Sequence, residues 1–157
     1  MLDVVQVASY VCDRYMKGYG YRIDELKLHK LLYFIQRECL ILFQKPMFSE
    51  HFRAWRYGPV IPKIRQLYAI NQLRKTMSCS MIQKYKSVFD YVFENYAGRK
   101  STTLSDITHG QVSWINARRG VAWDENSNHL LLLTDIKKDA ERAVIRRELI
   151  RKMRQGV

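Results

Sequence analysis

The chain has 157 residues, of which 47% are hydrophobic, and a formal net charge of +12. This length favours a single domain spanning residues 1–157, with a core large enough to need neither a disulfide nor a metal. Three widely spaced cysteines with no CxxC pair fit neither a disulfide framework nor a zinc site. No signal-peptide pattern and no bilayer-length apolar run occurs. We therefore expect a cytoplasmic protein that does not contact membranes.

The positive charge is concentrated in the middle of the chain. Residues 51–100 carry ten basic and two acidic side chains, whereas residues 1–50 carry seven and six. A strongly positive region attracts nucleic acid and acidic proteins equally well. The charge therefore leaves both classes of partner open.

Two helices are expected at the start of the chain. Asp3 is placed to cap a helix with apolar residues at helical spacing, which Gly18 should end. Asp24 is placed to cap a second helix that continues to Phe43. Its apolar residues cover nearly all faces, which is typical of a helix buried on most sides. The 24–43 segment should therefore be the central helix of the fold.

A short β element should follow the central helix. Apolar and polar side chains alternate from His51 to Arg56, which predicts a strand, and Tyr57-Gly58-Pro59 predicts a turn. Pro62 suits the first turn of the next helix, because its missing N–H would be unpaired there. Leu130–Leu133 is a candidate second strand.

The rest of the chain should be helical with polar connections. We expect an amphipathic helix from Ser80 or Met81 to Gly98, and short helical turns at 104–108 and 112–117. Thr134 or Asp135 should cap a last helix, whose basic end at 146–157 we expect to fray into solvent. The fold class is therefore mainly α, a compact helical domain with a buried central helix and a small antiparallel β element.

Catalytic and metal-binding patterns are absent from the sequence. The four histidines lie in four different elements, with no HExxH and no closely paired histidine and carboxylate. GxSxG, Walker and GxGxxG motifs do not occur, and nothing near Cys79 would activate it as a nucleophile. We therefore expect a protein that is not an enzyme and that has no cofactor and no metal.

The segment from Trp55 to Pro62 is the strongest local candidate for binding. A strand that exposes large side chains, and then turns into a helix begun by proline, holds those side chains rigidly. Trp, Tyr and Arg dominate measured interface energies. The alternative interpretation is structural: Trp55 and Tyr57 pack the strand onto the central helix, and Gly58-Pro59 only makes the turn.

A second candidate segment lies at 108–118. His109 is placed to hydrogen-bond a backbone carbonyl and fix the loop before Trp114, which favours a structural histidine. Trp114 and Arg118 lie on the adjoining turn. From both segments we take nine residues as candidates for partner binding, which are Trp55, Arg56, Tyr57, Gly58, Pro59, Pro62, His109, Trp114 and Arg118.

Three motifs in order resemble one known family. Residues 27–34 read KLHKLLYF, residues 54–62 read AWRYGPVIP, and residues 108–118 read THGQVSWINAR. This order resembles the Panacea domain, the SocA-like or phage-associated family with KLQKLLYY, AWxYGPVxP and THxxxPWxxAR. The sequence departs from that pattern at Ser113, where proline normally precedes the tryptophan. A rigid turn begun by proline is therefore not expected there.

The resemblance implies a function that composition does not. It implies a non-catalytic antitoxin that neutralises a cognate protein toxin by direct binding. The SocA type instead implies an adaptor that delivers its toxin to a protease. Because the toxins of such families are chemically diverse, the resemblance does not identify this chain's toxin.

A nucleic-acid-binding transcriptional regulator is the alternative from another class. The middle third is basic, and the helix after Pro62 carries Lys63, Arg65 and Gln66. A DNA reader needs such groups on one face of a recognition helix, in addition to phosphate contacts. Nucleic acid is therefore kept as a secondary partner.

Overall fold

The computed structural model describes residues 1–156. This part of the chain contains eight α-helices, a short π-helical segment and one two-stranded antiparallel sheet. In chain order the elements are α1 (Val4–Tyr19), α2 (Glu25–Phe43), β1 (Arg53–Trp55), β2 (Gly58–Val60), α3 (Pro62–Ala69), α4 (Cys79–Lys84), α5 (Lys86–Val92), the π segment (Phe93–Ala97), α6 (Ser101–His109), α7 (Val112–Ala117) and α8 (Leu133–Arg154). The mainly α fold class with a small antiparallel β element is confirmed.

Both expected caps at the start of the chain are present. The Asp3 side chain accepts a hydrogen bond from the Val5 N–H at 2.8 Å, and Asp24 accepts one from the Lys27 N–H at 2.8 Å. The expected end of α1 at Gly18 is wrong, because the helix continues to Tyr19. Gly20 ends it instead, with a φ of 81° that favours glycine.

The prediction that α2 is the central helix is confirmed. Every residue from Lys27 to Leu40 is buried. The helix packs against α1, α3, α5, α6, α8, the π segment and β2. A helix surrounded on all sides presents no polar face to solvent, so its polar side chains must find partners inside the protein.

The sheet forms with a different pairing from the one expected. β1 pairs with β2 as a tight hairpin, with Trp55 opposite Gly58. The predicted turn at 57–59 is therefore wrong, since Gly58 and Pro59 belong to β2 and the turn lies at Arg56 and Tyr57. The predicted second strand at 130–133 is also wrong. Leu130 forms only an isolated bridge to Arg53.

The helix predicted from Ser80 to Gly98 is interrupted. Tyr85 has a φ of −102° and a ψ of 14°, which separates α4 from α5, and the chain continues as the π segment to Ala97. Ser78 caps the first piece by accepting from the Met81 N–H at 3.3 Å. The amphipathic pattern thus located the segment correctly but not its breaks.

The start of the last helix differs from expectation. It begins at Leu133 with Leu132 in the cap position, and no side chain within residues 1–156 caps it, so the prediction of Thr134 or Asp135 as its cap is wrong. At the other end it remains helical to Arg154. Arg147 donates to both carboxylate oxygens of buried Glu38, at 3.1 and 2.7 Å, which fastens the basic end to α2.

Candidate functional site

The hairpin holds its side chains in the alternation that the sequence predicted. Phe52 and Ala54 are buried, whereas Arg53 and Trp55 are only half-buried. The Trp55 indole N–H donates to Oδ1 of Asn128 at 2.9 Å, so the ring is held in place from the opposite loop. The outward face of β1 is therefore ordered before any partner arrives.

Tight packing beneath β2 fixes the hairpin to the core. Gly58 has a φ of 114°, and a Cβ atom there would lie 2.6 Å from Cε of Lys30 and 2.6 Å from Oγ1 of Thr108. Lys30 is fully buried and its ammonium group lies 3.2 Å from the Pro59 carbonyl oxygen, to which it donates. Burial lowers the pKa of Lys30 to about 7. Gly58 and Pro59 therefore fix the β2 strand of the hairpin against α2 and α6.

α7 brings the second candidate segment against the hairpin. The Trp114 indole N–H donates to the Trp55 carbonyl oxygen at 3.0 Å. The His109 ring stacks on Trp114, with the ring centres 4.2 Å apart. His109 Nε2 is buried without a hydrogen-bond partner among residues 1–156, and burial lowers the pKa of this ring. Ring stacking holds His109 beside Trp114, and a backbone hydrogen bond at Arg56, which acts to raise the pKa of His109, agrees with the contact predicted from the sequence.

Arg118 lies beneath the candidate surface and not on it. It is buried, and its guanidinium donates to the carbonyl oxygens of Ala54 at 2.9 Å, Ala122 at 2.9 Å and Glu125 at 2.5 Å. It also lies over the Trp114 ring. These bonds tie the hairpin to the loop after α7. Arg118 is therefore a positioning residue at this site rather than an exposed one.

An exposed tryptophan that sequence reasoning missed completes the surface. Trp123 is 79% exposed and Tyr57 is 58% exposed. The Arg56 guanidinium lies over both rings, 5.1 Å from the Tyr57 ring centre and 5.8 Å from that of Trp123. We call Arg56, Tyr57 and Trp123 the hairpin-tip cluster. The available signal was a third tryptophan in the polar loop after Arg118.

The nine predicted site residues thus fall into two groups at one location. Gly58, Pro59 and Arg118 are buried and support the hairpin, whereas the other six keep exposed or half-buried side chains. Those six are Trp55, Arg56, Tyr57, Pro62, His109 and Trp114. The structural alternative is wrong for Tyr57, because its ring projects into solvent.

A cavity of about 360 Å³ opens beside the hairpin, between α2, β2 and α3. Its walls include Trp55 and Tyr57, and Glu25 and His29 lie at its α2 side. Glu25 Oε1 and His29 Nε2 are 3.5 Å apart. The expectation that no histidine and carboxylate are closely paired is therefore wrong. The i, i+4 spacing on one helix was the signal that could have shown it.

α3, the helix considered for DNA recognition, has its two basic side chains close to carboxylates. Arg65 lies 3.2 Å from Glu25, and Lys63 lies 3.9 Å from Glu50. α3 is eight residues long. Two of its three polar groups therefore already face carboxylates, which weakens its case as a recognition helix.

The described residues lack two kinds of feature. No group of three or more His, Cys, Asp or Glu side chains within residues 1–156 could hold a metal ion. Over the same range, none of the helices combines the length and apolarity needed to cross a membrane.

Comparison with known proteins assigns the family. The sequence model described as Antitoxin SocA-like, Panacea domain, matches residues 28–115. The chain is similar to Antitoxin SocA of Caulobacter vibrioides, with 31% identity over 70 residues, which is 45% of this chain and 37% of that relative. No solved structure matches significantly. Because the family match covers more than half of the chain and includes the hairpin, α6 and most of α7, this chain belongs to the SocA-like antitoxin family with a Panacea domain.

Proposed function

We propose that this chain neutralises a cognate protein toxin in the cytoplasm by binding it directly, without catalytic turnover. Membership of an antitoxin family supports the antitoxin role. The observation that carries direct binding is the hairpin-tip cluster, where Arg56 lies over the exposed rings of Tyr57 and Trp123. The match spans 37% of the relative's length.

The hairpin tip has the chemistry of an interface centre. Tyr, Trp and Arg are the residue types whose truncation costs most in measured interfaces. The cluster also rests on ordered supports, since Trp55, Trp114 and Arg118 bind neighbouring carbonyl or amide oxygens. Side chains already held in place lose little conformational entropy on binding. A toxin that covers this surface would therefore lose little affinity through the ordering of these supporting side chains.

The positions of the reactive side chains support a non-catalytic role. Burial raises the pKa of the Cys12 and Cys39 thiols to about 11, which keeps both protonated and weakly nucleophilic at neutral pH. The Asp139 carboxylate is buried and accepts bonds from Tyr33, Val112 and Ser113. These groups serve the fold and do not face a substrate.

Delivery of the toxin to a protease would be a further activity of the same complex. It would need a second surface besides the hairpin tip. α8 offers one, because Ile145, Leu149 and Met153 follow one another at i, i+4 and i+8 and are exposed. Toxin half-life in cells with and without this chain separates delivery, which shortens it, from neutralisation by binding alone.

The test is co-expression with the product of the adjacent open reading frame. The proposal predicts that the toxin co-purifies with this chain and that growth is rescued. Loss of both effects in the double variant Tyr57→Ala/Trp123→Ala, with its circular dichroism spectrum unchanged, assigns binding to the hairpin tip. Purification of the toxin without this chain, together with no rescue of growth, would contradict the proposal. If growth rescue across variants instead correlates with their binding to promoter DNA, the result would favour the nucleic-acid-binding transcriptional regulator.

A further inference from the structure

The second half of α8 exposes apolar side chains that do not pack into the core. In the first half of this helix Ile136 and Ala140 are buried, whereas Ile145, Leu149 and Met153 are 60%, 57% and 76% exposed. Residues four apart on a helix are neighbours, so these three side chains form one continuous row, which we call the α8 stripe. Single exposed apolar residues are normal on a protein surface, but a contiguous row of them is typical of an interaction site.

Basic side chains lie on both sides of the α8 stripe. Arg142 is three residues before Ile145 and Arg146 is three residues before Leu149, which makes them neighbours of the stripe on one side. Lys152 is three residues after Leu149, on the other side. All three are exposed, and among residues 1–156 none of them forms an ion pair with a carboxylate. We call these three residues the basic border, and a partner that covers the stripe is favoured if it brings negative charge to that border.

The spacing within the α8 stripe favours a helix as its occupant. Rows of residues four apart form the ridges of a helix surface, and the commonest packing of two helices interdigitates such ridges with the axes crossing at about −50°. From Ile145 to Met153 the stripe extends roughly 12 Å, which is about two turns. A short apolar ridge on a crossing helix therefore matches the stripe in shape and in length.

Three other occupants match the α8 stripe less well. A second copy of this chain would bring its own basic border against this one, and like charges repel. An anionic membrane suits a helix with aromatic anchors, but α8 contains no aromatic residue and places Glu148 beside Ile145. A nucleic acid would bring phosphates or base edges against the aliphatic centre of the stripe. The charge and the shape together favour an acidic helix of another protein.

We propose that the α8 stripe docks an amphipathic helix of a second partner protein, whose apolar ridge packs on the stripe and whose carboxylates face the basic border. This partner is distinct from the toxin. α8 begins beside the hairpin, since Leu130 bridges Arg53, and Leu149 lies roughly 24 Å along the helix axis from Leu133. The aromatic hairpin tip and the aliphatic stripe therefore serve different partners. The proposal goes beyond toxin neutralisation and does not depend on it.

The test uses the full chain and two synthetic helical peptides. Each peptide is about 20 residues long, so that it forms a helix on its own, and carries leucine at every fourth position along one ridge. The acidic peptide has glutamate at the positions beside that ridge, and the control peptide has lysine there. Fluorescence anisotropy of the labelled peptides should show that the acidic peptide binds about tenfold more tightly or better, because lysine would face the basic border.

Matched substitutions assign the binding to the α8 stripe. Leu149→Ala should weaken binding of the acidic peptide about tenfold, since the truncated side chain packs at the centre of the contact. Leu132→Ala is the same change at a residue that is 56% exposed but lies outside the stripe, and it should leave binding unchanged. Arg146→Glu should reduce the preference for the acidic peptide, and the same charge reversal in Lys17→Glu on α1 should retain it.

Several outcomes would overturn this proposal. No binding of the acidic peptide, equal affinity for both peptides, or an unchanged affinity in Leu149→Ala would each do so. Dimerisation of the parent chain that Leu149→Ala removes would assign the stripe to a second copy. Binding of the parent to phosphatidylserine vesicles with the same dependence on Leu149 would assign it to a membrane.

The toxin provides a separate measurement. Leu149→Ala should retain the toxin as well as the parent does, and loss of toxin retention in this variant would show that the toxin covers the stripe, which overturns the second partner. Failure of the parent chain to retain the toxin would contradict the proposed function but would leave the peptide result standing. The two proposals can therefore fail independently.

Discussion

The hydroxyl group of Tyr33 donates a 2.6 Å hydrogen bond to Oδ2 of Asp139, which joins the centre of α2 to α8. The same carboxylate accepts from the backbone N–H groups of Val112 at 2.6 Å and Ser113 at 3.3 Å. Asp139 therefore caps the start of α7 from another helix. At position 113 the family pattern has proline, which has no N–H to donate. In this chain a buried carboxylate fixes the turn before Trp114.

Asp139→Ala should destabilise the fold and loosen α7 in particular. The change leaves the Tyr33 hydroxyl and two backbone N–H groups without their acceptor, which we expect to cost about 2–4 kcal/mol. Urea unfolding gives the free energy, and hydrogen exchange locates the loss. Asp106→Ala, at an exposed position on α6, is the control and should leave both unchanged. An unaltered exchange rate for the Val112 amide would refute the capping role.

Leu32→Ala tests the central position of α2. Leu32 is fully buried, so its truncation should cost about 2–5 kcal/mol through lost burial and a residual cavity. Leu149→Ala is the same chemical change at an exposed position on α8 and should stay within about 0.5 kcal/mol. Denaturant unfolding of both variants makes the comparison. Equal midpoints for the two would show that α2 is not the core.

Gly58→Ala tests the close approach of β2 to α2. The methyl group would meet the Lys30 and Thr108 side chains at a backbone φ of 114°, and we expect a loss of about 2 kcal/mol or more. Gly18→Ala is the control. Its added Cβ meets nothing within 4 Å among the described residues, so the change should be neutral or slightly stabilising. Thermal unfolding that ranks Gly18→Ala below Gly58→Ala in stability would be the contrary result.

Lys30 should make stability depend on pH in one direction. Burial lowers its pKa from 10.5 to about 7, so between these values the unfolded chain binds a proton that the folded chain does not. Stability contributed by this group is therefore present above pH 10.5 and is lost as pH falls toward 7, with a slope of at most about 1.4 kcal/mol per pH unit.

The variant Lys30→Met isolates this contribution. Urea unfolding of parent and variant at pH 7, 8 and 9 should show a difference in unfolding free energy that changes with pH. The variant should be favoured most at pH 7. Lys17→Met, at an exposed position near the end of α1, should show no such trend. A constant difference between parent and Lys30→Met would contradict the account of Lys30.

The sequence predicted what depends on local pattern. The caps at Asp3 and Asp24 and the burial of α2 follow from neighbours along the chain, and all are confirmed. The turn at 57–59 was wrong because the positive φ of Gly58 serves close packing on Lys30, which is 28 residues away. The role of Asp139 could not be read from sequence, since it caps a helix that begins 27 residues earlier. Long-range partners of buried polar groups are set by tertiary packing.

The sequence indicated some residues of the candidate surface and missed others. The two tryptophan segments, where large aromatic and basic residues cluster in the sequence, lie side by side in the fold, since Trp114 donates to the Trp55 carbonyl oxygen. Trp123 was missed since its loop carries no periodic pattern, and only its position over Arg56 gives it a place in the cluster. Arg118 was expected to face a partner, but its guanidinium is buried and donates to three backbone carbonyl oxygens.

The most direct test of the account is the affinity of the purified toxin for the parent chain and for Tyr57→Ala, measured at several salt concentrations. Tyr21→Ala is the control, because Tyr21 is also 58% exposed. We predict that Tyr57→Ala weakens toxin binding by about 2 kcal/mol, roughly thirtyfold, at every salt concentration, and that Tyr21→Ala does not. Toxin binding that is unchanged by Tyr57→Ala, together with tight DNA binding that falls steeply with salt, would contradict it.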